Sequence, residues 1–312
     1  MSALLARLRR ESGQAMVFMV FALMGFVGMA GLVIDGGSWL RSQRQLQTAA
    51  DAAALAGAQE LPLDQSSARD NAVSYAQQNH PRPVTTNITF PTAGEIDVVA
   101  NTTALGFFTR IYGAVFDEVD VRAHARAGVY MPEKLKKVAP IGIHTDYACI
   151  VSEPECFGQT LTIDFTDDDD LDPTSSKFGL LDLDRITGAG AGDMKKWLAD
   201  GYPDALPIDT MYPPGNGQKN GLDKVLEAHA QAQTELLFPI FDYAVSDPDG
   251  YHVVGWAAFV IDEVVKWGGN DIPGNHVIKG HFVTFIASDL AAGNPITDPE
   301  LNFGVKVITL TQ

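Results

Sequence analysis

Carboxylates are the densest chemistry-bearing groups in this sequence. Asp164, Asp167, Asp168, Asp169, Asp170 and Asp172 crowd one short stretch, and hard cations such as calcium take several oxygen ligands of this kind. Asp168, Asp170 and Asp172 have the spacing with which a calcium loop opens. The position an EF-hand reserves for glycine is Pro173, however, and its closing glutamate would be Gly179. The stretch therefore reads first as a solvated acidic loop, with calcium at those three aspartates as the lesser alternative. His252, His276 and His281 sit near strand patterns but lack H-E-x-x-H spacing and a cysteine partner, so they read as ordinary histidines. The glycines at 188, 190 and 192 precede a helix pattern without the G-x-G-x-x-G register, and Asp193 as a helix cap explains the site more simply. Neither G-x-S-x-G nor a Walker A sequence occurs. The expectation is a protein with no catalytic residues and no cofactor.

The element that must carry everything else lies near the N-terminus. Ala15 to Ile34 hold no charge and no strongly polar side chain, enough at ~1.5 Å rise per residue to cross the ~30 Å hydrocarbon core of a bilayer. Only a continuous helix satisfies the backbone of such a run in lipid. A cleaved secretory signal has a shorter apolar core and a small-residue cleavage site close behind it, whereas this run ends in Ile34-Asp35-Gly36-Gly37. A retained anchor is the better reading. Arg7, Arg9 and Arg10 place the N-terminal flank on the cytoplasmic side, although Arg41 and Arg44 stand within the counted window on the far side.

Small residues at 22, 25, 28 and 31 thin one surface of that helix and suit close approach of another helix. Beyond the bilayer, Ser38 to Glu60 remains helix-favouring, with Trp39, Leu46, Ala50, Ala53 and Gly57 on one narrow apolar face and a bend expected at Gly36-Gly37. The predicted helix-packing surface comprises Gly25, Gly28, Gly31, Asp35, Leu46, Ala50, Asp51 and Ala53. Asp51 is expected to be either solvated or paired with a partner's cation.

The sequence SGQAMVFMVFALMGFVGMAGLVIDGGSWLRSQRQLQTAADAAALAGAQEL resembles the N-terminal domain of the TadE/TadG-like family of Tad (Flp) pilus-assembly proteins, and most of all its TadG-like branch. The most specific part is Leu46-Gln47-Thr48-Ala49-Ala50-Asp51-Ala52-Ala53-Ala54-Leu55-Ala56, preceded by Gly31, Asp35 and Arg41. The resemblance implies a single-pass envelope protein, its bulk outside the inner membrane, working with pilins or other pilus-assembly proteins. Related pilins are cut after a glycine that has a glutamate five residues on. Here the fifth residue after Gly13 is Phe18, so an unprocessed anchor is expected. Some TadG-like proteins carry a von Willebrand A domain with a D-x-S-x-S metal motif. Asp172 to Ser176 has similar residue types but follows aspartates and no apolar strand, so that domain is not expected.

Net charge of −17 and a pI near 4.6 argue against nucleic acid and against lying flat on anionic lipid. Cys149 and Cys156 suit a small disulfide loop outside the cytosol, and would be two ordinary thiols within it; the orientation above favours the bridge.

Along the chain, a helix is predicted at 66–79 with a Ser66 cap, and strands at 84–90, 95–101 and 117–130. A short amphipathic helix is predicted at 103–112, with Phe107, Phe108 and Ile111 inward. Pro132 and three lysines mark a boundary at 131–137. Beyond it, strands are predicted at 161–165, 251–261, 277–287 and 303–309, and helices at 193–200 and 221–233. The fold class is α+β: cytoplasmic residues 1–14, a transmembrane helix at 15–34 that continues into a small α+β domain to 131, then a mainly β domain over 138–312. The function expected is non-enzymatic pilus assembly or secretion, with oligomers forming through the anchor helix. The alternatives are an anchored adhesin or calcium-binding module, and an envelope enzyme.

Overall fold

A computed structural model describes residues 2–109, 118–147, 157–164, 177–185, 190–215, 221–245, 250–267, 276–288, 290–297 and 299–311, with the side chains of 2–14, 266, 267, 276 and 301 excepted. The fold is α+β, with a long N-terminal helix and a largely β C-terminal region. Two compact units are distinguished, one of Met1–Ala54, Asp70–Thr89 and Asp97–Ala125, the other of Leu55–Arg69, Phe90–Ile96 and Arg126–Gln312.

In chain order the first elements are α1 (Ser2–Ala58), α2 (Gln65–Gln78), β1 (Thr85–Thr89), β2 (Glu95–Leu105) and β3 (Glu118–Pro132). α1 stays helical through Gly36-Gly37, so the expected bend does not break it. A run of alanines, the strongest helix formers, carries it on past that pair. Its buried face is made of Leu46, Ala49, Ala50, Ala53 and Ala54. Small side chains there let backbone elements approach closely, and two glutamines complete the fit: Gln43 Nε2 donates to the Arg122 carbonyl of β3 at 2.7 Å, and Gln47 Nε2 to that of His124 at 2.8 Å. In the same unit β1 runs antiparallel to β2, from Thr85 opposite Asn101 to Thr89 opposite Asp97. His124 of β3 meets the Asp97 carboxylate of β2 at 3.0 Å.

β2 departs from expectation. Its inward set of Val98, Ala100, Thr102 and Ala104 runs past position 101, so 103–105 are strand and not helix. Over 103–105 the strand's period of two wins over the three- and four-residue spacing of Phe108 and Phe107 from Ile111. Phe107 is 73 % exposed, against the inward position expected for it, and Ile111 lies outside the described residues.

α2 buries Ala68, Ala72 and Ala76 at a spacing of four. Its cap is Asp64 rather than Ser66: the carboxylate accepts the N–H groups of Ser66 and Ser67 at 2.9 Å each and the Ser67 hydroxyl at 2.6 Å. These bonds, the Ser67 hydroxyl foremost, hold the Asp64 carboxyl below its ordinary pKa.

The larger unit contains β4 (Lys134–Leu135), β5 (Ile141–His144), β6 (Leu161–Asp164), β7 (Phe178–Leu180), α3 (Ala191–Asp200), β8 (Leu206–Pro207), β9 (Thr210–Tyr212), α4 (Asp223–Ala232), β10 (Glu235–Val245), β11 (Gly250–Trp267), β12 (His276–Val283), β13 (Phe285–Ile286), β14 (Ala292–Pro295) and β15 (Val305–Thr311). Seven strands form one sheet in the order β6-β12-β11-β10-β5-β7, with β9 on β11. The β10–β11 hairpin is antiparallel, while β10 runs parallel to β5. The remaining part of β3 pairs antiparallel with β15, Tyr130 lying opposite Val307.

β10 is a strand that the sequence pattern hides. Glu235 to Val245 is a nearly unbroken apolar run containing Pro239, a residue that normally excludes a central strand. Ala139 N–H donates to the Leu237 carbonyl and Thr145 N–H to that of Phe241, both at 2.8 Å. Acceptors on either side of Pro239 carry those bonds, so its missing N–H is not called on. Around this strand Phe238 stacks on Phe259 at 5.6 Å, and Phe259 meets Phe282 edge-on at 5.0 Å. All three rings are buried and form the centre of the core.

Candidate functional site

Between Met16 and Ile34 nearly every large apolar side chain of α1 is exposed, with Phe18, Phe21 and Phe26 at 67 to 68 %. Contiguous apolar surface of this kind marks contact with lipid or protein. Among the described residues this is the single helix long and apolar enough to cross a membrane, by length and composition.

At the end of the run stands Asp35, with no solvent exposure at all. A carboxylate placed there needs strong compensation, and three successive backbone donors supply it. Phe107 N–H donates to Oδ1 at 2.7 Å, Phe108 N–H to Oδ2 at 2.9 Å and to Oδ1 at 3.1 Å, and Thr109 N–H to Oδ2 at 2.7 Å. Consecutive N–H groups converging on one anion form a nest, in which the carboxylate acts as the bound anion. One turn earlier, Gly31 gives the room this requires: a Cβ on Gly31 would lie 2.9 Å from the Phe108 Cβ. Gly31 and Asp35 together form a cradle on α1 for the loop that follows β2. The arrangement is mechanical and electrostatic: it clamps a loop to a helix.

The other residues of the predicted helix-packing surface fall into two groups. Leu46, Ala50 and Ala53 are wholly buried, and Asp51 accepts a 2.8 Å bond from Gln47 Nε2. Gly25 meets nothing within 4 Å of a Cβ built on it, and Gly28 is half-buried. Cys149, Cys156, Asp168, Asp170 and Asp172 lie outside the described residues. Among those described, no group of three or more His, Cys, Asp or Glu side chains is placed to hold a metal ion. His252 Nδ1 pairs with Asp242 at 2.8 Å and His281 Nδ1 with Asp262 at 3.1 Å, each histidine with its own aspartate.

A second buried charge went unread in the sequence. Lys306, in β15, is 1 % exposed, and its Nζ donates to the carbonyls of Gln59 and of Leu61, the latter at 2.9 Å. Burial pushes its pKa down to about 8, with the charge of Glu60 opposing that shift. A lysine alternating with valines in VKVITL reads as a solvent-facing strand position, and the pattern carries no sign of two carbonyls waiting more than 240 positions away.

Residues 13–60, the greater part of α1, match the family model of putative Flp pilus-assembly TadE/G-like proteins. No curated protein and no solved structure matches the chain.

Proposed function

We propose that the chain is a membrane-anchored, non-enzymatic component of Flp pilus assembly. Residues 15–34 span the inner membrane, and the regions 35–131 and 138–312 stand on its extracytoplasmic side. The Tad match on residues 13–60 is the observation that carries this reading. The exposed apolar run of the same helix supports the anchoring. The small-residue face with Gly25 and Gly28 is the surface for other helices of the assembly platform, and the acidic body is the part that meets pilins or envelope proteins.

The test is genetic and direct. A host lacking this protein is assayed for assembled surface pili, then complemented with the full chain or with a chain lacking residues 15–34. Loss of pili, restored by the full chain alone, is the expected result. Normal pili in the deletion strain would remove the chain from the pathway.

A further inference from the structure

Within the smaller unit, just past Asp35, lies a cavity of about 310 Å³ that the latch does not use, with Ser38, Arg41, Ser42, Gln45, His80 and Arg82 in its wall. We propose that it binds the phosphodiester group of an anionic phospholipid, a reading that rests on residues 15–34 spanning the membrane.

Chemistry, depth and surroundings agree. The wall has two guanidinium groups, two hydroxyls and an amide, and no carboxylate. Arginine's planar fork suits phosphate oxygens. Arg82 is held in place by donating from Nη1 to the Thr103 carbonyl at 2.9 Å, and Arg41 is exposed with no side-chain partner among the described residues. His80 is 6 % exposed, and its Nε2 is buried without a partner among the described residues. His80 Nδ1 lies 3.1 Å from the Arg82 carbonyl oxygen and 3.2 Å from the Arg82 backbone nitrogen, so the ring can carry its hydrogen on either nitrogen, and Nε2 is a donor in the tautomer that accepts the Arg82 N–H. The volume falls at the lower end of small-molecule sites, enough for a headgroup phosphate and its glycerol.

Depth follows from the helix. Ser38 stands one turn past Ile34, roughly 6 Å along the axis, and the headgroup layer extends roughly 5 to 8 Å beyond the hydrocarbon. Arg41, one turn further, reaches back to that layer on its long stem. Phe107, whose N–H reaches Asp35 at the end of the apolar run, is 73 % exposed, and Leu40 and Leu105 beside the cavity are exposed at 64 and 40 %, apolar surface available to the lipid. The same site gives a reason for an arginine on the far side of the span, against the charge rule that orients it.

The experiment uses the full chain in detergent, titrated with phosphatidylglycerol, phosphatidylcholine or inorganic phosphate and read by native mass spectrometry and thermal shift. One saturable phosphatidylglycerol adduct is expected, weakened about tenfold by Arg41→Gln and further by Arg41→Gln with Arg82→Gln. Arg41→Gln breaks no bond within the described residues, so it tests the site without threatening the fold. Equal retention of phosphatidylglycerol by wild type and both variants overturns the proposal, as does phosphatidylcholine binding just as tightly. Inorganic phosphate that displaces the lipid at millimolar concentration and stabilises the chain equally makes this a free-anion site, and overturns the lipid assignment. Carbonate extraction of native membranes tests the anchor separately: a chain released as soluble protein defeats the span, whatever the lipid titration shows.

Discussion

The carboxylate of Asp35 accepts the backbone N–H of Thr109 at 2.7 Å across 74 positions of sequence. Together with the donations from Phe107 and Phe108, it makes one side chain the acceptor for three consecutive amides. Asp35→Ala leaves those amides without an acceptor. Their hydrogen exchange in the detergent-solubilised chain is expected to rise by about tenfold or more, while the β10–β11 amides stay unchanged. Asp35→Asn, with one acceptor oxygen, falls between. Unaltered exchange at 107–109 in the alanine variant would show that the latch holds nothing.

Gly31 and Gly25 lie on the same apolar helix, but only the first is crowded. A methyl at Gly31 would press on the Phe108 Cβ, so Gly31→Ala is expected to destabilise the chain by about 1 to 3 kcal/mol. Gly25→Ala meets open space and is expected to leave the melting midpoint unchanged or raised. Thermal unfolding of the two variants side by side distinguishes a glycine needed within the chain from one available to a partner helix.

Stability should rise with pH above 8. The ordinary lysine value is 10.5 and that of folded Lys306 about 8. Between those values the unfolded chain holds a proton that the folded chain has lost, so stability increases, by roughly 3 kcal/mol over the whole window. Above 10 the sign reverses. Tyr212 is pushed up to about 12, mainly by burial, so the unfolded phenol gives up its proton first. Denaturation midpoints measured from pH 7.5 to 11 should peak near the ordinary tyrosine value of 10. Lys306→Met should abolish the rise and leave the fall.

Phe259 lies between Phe238 and Phe282 with no exposed surface. Phe259→Ala is expected to cost about 3 to 5 kcal/mol in a urea titration, whereas Phe107→Ala, at an exposed position, should cost nothing measurable.

Local signals were legible. The apolar run, the alanine-rich continuation of α1, the helix at α2 and the alternating strands around Val98 and Val121 follow from period and propensity, and they appear near their expected positions. Nonlocal pairings were not. Asp35 reads as the end of an apolar run and as one position of a helix-packing surface, and only the loop returning after β2 shows what it holds. Lys306 reads as a surface lysine until the Gln59 and Leu61 carbonyls are placed beside it. β10 is absent from the strands expected of the sequence; Pro239 stands within it, and the acceptors on either side that make its missing N–H harmless are visible only once β5 is placed beside it.

α1 runs for 57 residues without interruption, a strut of roughly 85 Å at ~1.5 Å per residue. The apolar half and Asp35 belong to one unbroken backbone ladder, so the loop clasped at Asp35 is tied to the segment that precedes it.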